Sequence, residues 1–312
     1  MQEALPPNLS HIHAAVIEAW PEHLAVLQKS IAAFPPEQLL QLDGIADQVL
    51  RLVGSDMDRY IEGYRWISRM QLEEELHFRR TGDYRNSTFE QAWEQVYSKP
   101  ELMGLYMDGL LVSQVLWSNH AQTLLSFTED FLPRLRPGAR ILEVGPGHGL
   151  GCALAATHSG NFQVEAWDLS DASLRRTQQH LEQLDLADRV TLHQRDATIR
   201  LEAGMERFDA LVISEVLEHV ERPVELLASL AQHLTGEGLL FAGVPANSPA
   251  PDHLYLLRDP DEALTLVEDA GFELVAHHFH PCTGYTLERA RKVKATVSCV
   301  VIGRRGSAGT PT

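Results

Sequence analysis

The run Leu-Glu-Val-Gly-Pro-Gly-His-Gly at 142–149 combines one acid with a glycine turn, a pattern that could bind a nucleotide-like ligand. Gly145, Gly147 and Gly149 let the backbone turn sharply and approach a ligand that any Cβ would push away. The segment from Leu150 is predicted to be a helix, whose free N–H groups and positive dipole end favour a carboxylate or phosphate. The run therefore predicts a binding site for a nucleotide-like molecule.

Further polar residues follow the next predicted strands. Asp168 closes the strand at 162–168, where one carboxylate can hold both hydroxyls of a ribose. Asp196 follows the third strand, and Ser214 with Glu215 follows the fourth. Because ligands of parallel sheets lie at the carboxyl ends of strands, near the reversal of strand order, we expect these side chains at one edge of the sheet.

Short apolar runs form the elements that must position these residues. Ile141, Leu142 and Val144 are typical of a strand covered on both faces, as in a parallel sheet. The next strands are predicted at 162–168, 190–195 and 208–213. Strands that alternate with helical patterns indicate an α/β fold.

These motifs, in this order, resemble the class I S-adenosylmethionine-dependent methyltransferases. The first run and Ser-Glu-Val-Leu-Glu-His-Val at 214–220 resemble the quinone-biosynthesis type, and the resemblance covers about residues 140–305. It implies a Rossmann-like seven-stranded sheet with an antiparallel last strand. The segments 272–276 and 296–302 supply the antiparallel hairpin that this family has at the end of its sheet.

The resemblance also implies that S-adenosylmethionine is the cofactor. The residues that it assigns to this cofactor are Glu143, Gly145, Gly147, Gly149, Asp168, Leu169, Asp196, Ala197, Ser214 and Glu215. Glu143 and the three glycines would surround the methionine part, and Asp168 would bind the ribose. Leu169 would pack on the adenine, with Asp196 and Ala197 at its edge. Ser214 and Glu215 would line the transfer site.

A nicotinamide dehydrogenase is the main alternative for the same residues. Its fingerprint requires a third glycine three residues after the second, but position 150 is Leu and the glycine falls at 149. A dehydrogenase would also need a second mononucleotide-binding half in place of the hairpin. The spacing favours a methyl donor.

Methyl transfer mainly requires alignment, but a phenol, enol or carbon acid acceptor also needs a base, and histidine suits that task near neutral pH. His219 follows the fourth strand, where a structural role at a helix start is equally consistent. His253 and Tyr255 lie on a long loop after the fifth strand, and loops at strand ends often carry function. His120 lies on the last predicted helix before residues 134–138, which we expect to be the hinge between the two domains. From this helix His120 could reach over the cofactor, or it could only cap the helix.

The N-terminal part shows only helical periodicities, which are punctuated by prolines and glycines. Its helices are predicted at about 11–33, 37–53, 56–80, 88–98, 101–117 and 120–131. We therefore expect a helical domain at 1–136 that covers a substrate pocket or forms a homodimer. A methyltransferase domain at 137–305 and a disordered tail at 306–312 complete the predicted organisation. Six aromatic residues of the helical part are expected either to line the pocket or to pack in the core: Tyr60, Tyr64, Trp66, Tyr84, Tyr106 and Trp117.

Composition excludes several classes of partner. A formal net charge of −17 argues against nucleic acid, because such binding draws its affinity from Lys and Arg at phosphates. No apolar stretch approaches the ~18 residues that span a bilayer, and the start lacks the pattern of a signal peptide. We expect a cytoplasmic protein without a membrane or nucleic-acid partner.

The cysteines and the histidine-rich segment at 277–282 do not predict a metal. Three scattered cysteines show neither a disulfide framework nor a zinc-knuckle spacing. His278, His280 and Cys282 would share one strand face, but consecutive alternate positions space ligands poorly around one ion.

The sequence thus predicts a methyltransferase that acts on oxygen or carbon, less readily nitrogen, of a small molecule in specialised-metabolite biosynthesis. A protein methyltransferase and a non-catalytic partner-binding subunit remain as alternatives.

Overall fold

The computed structural model describes residues 5–92, 100–197 and 207–306. The predicted tail after residue 306 lies outside the described residues, as does most of the predicted helix at 88–98.

One mixed sheet forms the centre of the C-terminal part, with strand order β3-β2-β1-β4-β5-β7-β6. Its strands are β1 (Arg140–Val144), β2 (Gln163–Asp168), β3 (Val190–Gln194), β4 (Phe208–Ser214), β5 (Leu234–Ala246), β6 (Phe272–Pro281) and β7 (Val297–Arg305). The first five are parallel, whereas β7 is antiparallel to both β5 and β6. This confirms the predicted seven-stranded fold.

Strand order reverses at β1, which pairs with β2 on one side and β4 on the other. Val144 lies opposite Trp167 of β2 and Ile213 of β4. The carboxyl ends of all three strands therefore meet at one edge. The N–H of Gly145 extends the β1–β2 pairing by donating to the Trp167 carbonyl at 2.8 Å.

Helices connect the strands and cover the sheet. They are α8 (Leu150–Thr157), α9 (Asp171–Gln183), α10 (Pro223–Ala231), α11 (Asp261–Asp269) and α12 (Leu287–Val293). Ser170 begins α9 as a capping residue, because its hydroxyl accepts a hydrogen bond from the Ser173 N–H at 3.2 Å.

The described part of the N-terminal region is helical, as predicted. Its α-helices are α1 (Pro7–Ala19), α2 (Leu24–Ile31), α3 (Pro36–Val53), α4 (Met57–Thr81), α5 (Phe89–Ala92), α6 (Pro100–Leu116) and α7 (Ser118–Leu125). The single helix predicted at 11–33 is wrong: α1 ends at Ala19, and Pro21, which has no N–H to continue the helix, opens a 3-10 turn. After α7 the chain forms a π-helical turn at Ser126–Phe131.

The helical region and the sheet share one hydrophobic core. A single cluster contains buried residues of α1, α3, α4, α6 and α7 together with residues of β1, β2, β5 and β7. At its centre the ring of Phe241 lies 5.2 Å from Phe127 and 5.3 Å from Phe131. A second cluster fills the opposite face of the sheet. The proposed division at residue 136 stays a prediction, and the packing across it is continuous.

An ion-pair network also joins the two regions. Asp108 of α6, whose side chain is 2% exposed, accepts two hydrogen bonds from Arg59 of α4, at 2.6 and 2.8 Å. The same carboxylate pairs with Arg176 of α9. None of the helices in these described ranges is long and apolar enough to cross a membrane.

Candidate active site

The glycine turn after β1 adopts the backbone conformation that its residue types require. Gly145, Gly147 and Gly149 have φ angles of 71°, 55° and 75°, a region in which side-chain-bearing residues are strained. A Cβ on Gly145 would lie 2.5 Å from Cγ2 of Val216, so a side chain there would also clash. The terminal methyl of Met107 lies 3.5 Å from the Cβ position of Gly147. The helical region therefore reaches over the turn.

Glu143 stands one residue before the end of β1, beside the start of α8. Burial raises the pKa of its carboxyl to about 7, and a hydrogen bond with the Cys152 thiol opposes part of that rise. An ideal Cβ on Gly151 would lie 2.5 Å from Oε1 of Glu143, so the glycine leaves the space that the carboxyl fills. The site thus combines a carboxyl that is poised to ionise with the N-terminus of a helix.

Asp168 is fixed at the end of β2. Its Oδ1 accepts the Ser170 N–H at 2.8 Å, and its Oδ2 accepts the Ser173 hydroxyl at 2.6 Å. The Leu169 N–H also bonds this carboxylate, whose two oxygens together offer about four lone pairs, so acceptor capacity remains for a ligand. Burial raises the pKa of Asp168, and these hydrogen bonds act in the opposite direction. Leu169, beside it, is 58% exposed, so its side chain is accessible to a ligand.

The remaining residues that the sequence assigned to the cofactor lie after β3 and β4. Asp196 and Ala197 are half-buried beyond the end of β3, where Ala197 packs against the second cluster. Ser214 ends β4, and Glu215 follows it with a φ of 55°, held by a hydrogen bond from its N–H to the Gly243 carbonyl at 3.0 Å. The structure therefore brings the predicted residues to the carboxyl edge of the sheet, as expected from the motif order.

A cavity of about 230 Å³ opens beside Glu215, between this edge and the helical region. Residues of both regions line it, among them Met70, Tyr106, Trp117, His120, Glu215, His253 and Thr283. Of the predicted catalytic residues, His120 and His253 line the cavity. Tyr255 packs instead against the second cluster, and its N–H donates to the Glu218 carbonyl at 3.0 Å.

The aromatic residues of the helical region divide between the two expected roles. Tyr106 and Trp117 line the cavity. Tyr60 and Tyr64 are buried in the first cluster, where Trp66 also packs. Tyr84 has a separate role, because its hydroxyl oxygen accepts the Ser248 N–H at 2.9 Å.

A comparison of the chain with family models matches residues 116–291 to a methyltransferase domain. The chain belongs to this methyltransferase family. The match begins in α6 and ends in α12, so it includes every strand of the sheet except β7. The membership and the fold confirm the predicted class I S-adenosylmethionine-dependent methyltransferase domain, and S-adenosylmethionine is the cofactor of this family.

The individual proteins that resemble this methyltransferase have a low sequence identity to it. A ribosomal protein L11 methyltransferase of Desulfitobacterium hafniense is 28% identical over 185 residues, 59% of this chain and 56% of that protein. The chain thus spans about half the length of that relative.

Two solved structures share the fold. The S-adenosylmethionine-dependent methyltransferase SibL has a TM-score of 0.53 and 16% identity, over 80% of this chain and 73% of that one. The mitomycin 7-O-methyltransferase MmcR has a TM-score of 0.52 and 16% identity, over 81% and 72%. In both cases the likeness extends into the helical region.

The helical region of the methyltransferase holds the loop between β5 and α11. The side-chain amides of Gln71 and Asn86 donate to the Pro249 and Pro251 carbonyls, at 2.9 and 2.7 Å. This loop carries His253. Sequence motifs gave no sign of these contacts, because they join residues more than 160 positions apart.

A cluster of acids and histidines lies behind the cavity wall. Oε1 of Glu218 is 3.9 Å from Nε2 of His219 and 4.0 Å from Nε2 of His253. Burial and the neighbouring Glu215 raise the pKa of the Glu218 carboxyl. Asp252 completes the cluster, with Oδ2 3.6 Å from Nδ1 of His219. Sequence reasoning identified both histidines but missed Glu218, although it stands in the same run.

His120 has one ring nitrogen engaged and one available. The Ser113 hydroxyl donates to the Leu110 carbonyl at 2.8 Å, so its oxygen accepts the Nδ1–H of His120 at 3.0 Å. Nε2 is therefore the basic nitrogen of the ring. Burial lowers the pKa of His120 to about 4, which keeps the imidazole neutral at physiological pH.

Proposed function

We propose that this protein transfers a methyl group from S-adenosylmethionine to oxygen or carbon of a small organic molecule in specialised-metabolite biosynthesis. The observation that carries the proposal is the cavity beside Glu215, whose walls come from both the helical region and the carboxyl edge of the sheet. A cavity of about 230 Å³ accepts a small organic group.

The residues at the sheet edge fit the donor. We assign its methionine part to Glu143, Gly145, Gly147 and Gly149, its ribose to Asp168, its adenine to Leu169, Asp196 and Ala197, and the transfer site to Ser214 and Glu215. The buried carboxyl of Glu143 can pair with the donor's ammonium group, and the glycines, which adopt positive φ without strain and carry no side chain, leave room for a ligand. When bound, S-adenosylmethionine supplies a methyl group that is activated by the positive charge on its sulfur.

The side chains around the cavity position the acceptor and take its proton. His120 offers a neutral imidazole with Nε2 as the acceptor atom, and we assign it the role of general base. When donor and acceptor are both bound, Nε2 of His120 would accept the proton that the acceptor's O–H or C–H group gives up as it takes the methyl group. Ile67, Met70 and Leu110 give the cavity apolar walls that exclude water from this exchange.

Protein methylation is the second candidate. It is favoured by the relative that is named as a ribosomal protein L11 methyltransferase. The net charge of −17 does not argue against a basic ribosomal protein as the acceptor, because acidic surfaces attract basic proteins. The small cavity favours the first candidate.

Incubation with radiolabelled donor separates the two candidates. The purified chain would be added to a cell extract, which is then divided into a fraction below the size of polypeptides and a polypeptide fraction. Label in a small-molecule product that chromatography separates from the donor, lost in His120→Ala, supports the proposal, whereas label in a polypeptide supports the second candidate. Donor binding without label in either fraction would contradict both and favour a non-catalytic role. The predicted homodimer through the helical region is tested separately by sedimentation equilibrium.

A further inference from the structure

A second cavity, of about 460 Å³, lies between the end of α3, the start of α4 and the C-terminal half of α9. It shares no lining residue with the cavity beside Glu215. Its volume is in the range of small-molecule sites, and its wall is mainly polar. The charged and imidazole side chains of this wall are Asp56, Arg59, Arg176, His180 and Glu182.

Two arginines of the wall share a single carboxylate. Arg59 donates to Asp108 through Nε and Nη2, and Arg176 donates to the same carboxylate through Nη2 alone. Because a guanidinium has five N–H donors, each arginine keeps N–H groups for a further acceptor. The two positive charges also exceed the one negative charge of Asp108. This part of the cavity therefore suits an anionic group, and guanidinium groups bind carboxylates with good geometry.

His180 gives the cavity a hydrogen-bond acceptor. Its Nδ1 lies 2.8 Å from the His148 carbonyl, which can only accept, so Nδ1 carries the proton. Burial lowers the pKa of His180, which keeps the ring neutral and leaves a lone pair on Nε2. Because the side chain lines the cavity, this lone pair can accept an N–H group of a ligand.

Two acids complete the charge pattern of the wall. Asp56 and Glu182 are exposed, and both line the cavity. The wall thus has a positive part at the two arginines and a negative part at the two acids. A ligand with one charge would satisfy only one of these parts. A ligand that carries both a carboxylate and an ammonium group would satisfy both.

α9 connects this cavity to the glycine turn. The hydroxyl of Thr177 donates to the Gly147 carbonyl at 2.9 Å, and His180 donates to the next carbonyl, that of His148. Two hydrogen bonds from α9 therefore hold the backbone of the turn. Arg176 and His180 face the cavity from the same helix. A ligand that orders these two side chains would stabilise the turn in this conformation.

We infer that the second cavity binds a small zwitterion, with its carboxylate at Arg59 and Arg176 and its ammonium group at His180 and the two acids, and that this binding tightens the binding of the donor. The site is separate from the acceptor cavity, so it does not depend on the proposed acceptor. Only the coupling rests on the assignment of the glycine turn to the donor's methionine part.

The test is calorimetric titration of the whole chain with three zwitterions of increasing charge separation: glycine, 4-aminobutyrate and 6-aminohexanoate. The donor site is first saturated with S-adenosylhomocysteine, so that no probe enters the place of its amino-acid part. Each probe is compared with the carboxylate and the amine of equal length. We expect at least one zwitterion to bind one per chain, about 5-fold or more tightly than both of its matched analogues.

Two variants and one control locate the bound probe. Arg59→Gln is expected to weaken the binding of the zwitterion by about 5-fold, since Arg59 is half-exposed and water screens its charge. Glu182→Gln should weaken the zwitterion but not the carboxylate analogue. Arg51→Gln is the control, because Arg51 is 47% exposed, as Arg59 is 49% exposed, but it does not line the cavity. Thermal unfolding by circular dichroism establishes that each variant is folded.

The coupling is measured by titrating S-adenosylhomocysteine with and without a saturating probe. We expect its affinity to rise about 5-fold, and linkage requires the probe's affinity to rise by the same factor. An unchanged affinity would contradict the coupling and leave the site supported. A lower affinity would show that the probe competes for the donor site, and it would overturn the inference.

Three further results would overturn the site itself. One is the absence of binding by all three zwitterions. Another is equal binding of a zwitterion and one of its matched analogues. The third is the same loss in Arg51→Gln as in Arg59→Gln. None of these measurements requires methyl transfer, so failure of the proposed function would leave them unaffected.

Discussion

The carboxyl of Glu143 occupies the space in which a side chain at Gly151 would begin, because an ideal Cβ there would lie 2.5 Å from Oε1. β1 and the first turn of α8 are thereby fitted to each other through one acid and one glycine. The proposed contact of Glu143 with the donor depends on this fit.

Gly151→Ala is expected to displace Glu143 and weaken the binding of S-adenosylhomocysteine. Overpacking of this kind costs ~1–3 kcal/mol, which corresponds to about 5- to 150-fold in affinity if it falls on the bound state. Calorimetric titration measures the effect. Gly44→Ala in α3 is the control, since nothing lies within 4 Å of its Cβ position. Equal affinity in the two variants would show that Glu143 does not contribute to the ligand site.

The ionisation of Glu143 predicts a pH dependence of stability. Its folded pKa of about 7 exceeds the 4.5 of an ordinary glutamate, so between these values the folded chain binds more protons than the unfolded chain. The free energy of unfolding must then fall as the pH rises from 4.5 to 7, by up to ~3 kcal/mol from this group. Urea unfolding of wild type and Glu143→Gln across pH 5–8 isolates the contribution. A difference between them that is constant with pH would refute the raised pKa.

Asp168→Ala should weaken S-adenosylhomocysteine binding by ~1–3 kcal/mol through loss of charge-assisted hydrogen bonds to the ribose. Ser173→Ala removes only a hydroxyl that orients the carboxylate, at 2.6 Å, and should have a smaller effect. Titration calorimetry of both variants at one pH and salt concentration gives the comparison. The ribose assignment fails if Asp168→Ala binds as tightly as wild type.

Asp108 is expected to stabilise the contact of α4 and α6 with α9. Asp108→Ala leaves Arg59 and Arg176 without their shared carboxylate. Loss of one partner from a fully buried pair lowers the free energy of unfolding by ~3–5 kcal/mol. We expect a smaller loss here, because Arg59 is half-exposed. Asp171→Ala is the control, because its pair with Arg175 is exposed and worth at most ~0.5 kcal/mol. Chemical unfolding measures both, and similar losses in the two variants would contradict a structural role for Asp108.

The strands and the glycine turn were predictable because their signals are local. The apolar run of Ile141, Leu142 and Val144 indicates a strand that is covered on both of its faces. The position of Asp168 after an apolar run indicates that it ends a strand. The sheet order then follows from the family resemblance.

Contacts that join distant segments gave no such signal. Asn119 is buried in α7, and its side-chain amide donates to the Ser298 hydroxyl of β7 at 3.0 Å. The meeting of Glu218 with His253 depends on the path of the loop after β5, which Gln71 and Asn86 hold from the helical region. A spacing of 35 residues between acid and imidazole does not determine that path.

The aromatic contact between Phe127 and Phe241 predicts that the helical region does not fold apart from the sheet. Phe241→Ala removes a buried ring that touches both Phe127 and Phe131, and such truncations cost ~3–5 kcal/mol. Because the three rings share one cluster, Phe127→Ala combined with Phe241→Ala should cost less than the two single losses together, by ~0.5–1.5 kcal/mol. Leu274→Ala, at a position 36% exposed, should cost far less than Phe241→Ala.

Unfolding in urea should also remain one transition by far-ultraviolet circular dichroism and by tryptophan fluorescence, since Trp117 and Trp167 report on different regions. Two separated transitions, or strictly additive losses in the double variant, would show that the helices and the sheet are independent units.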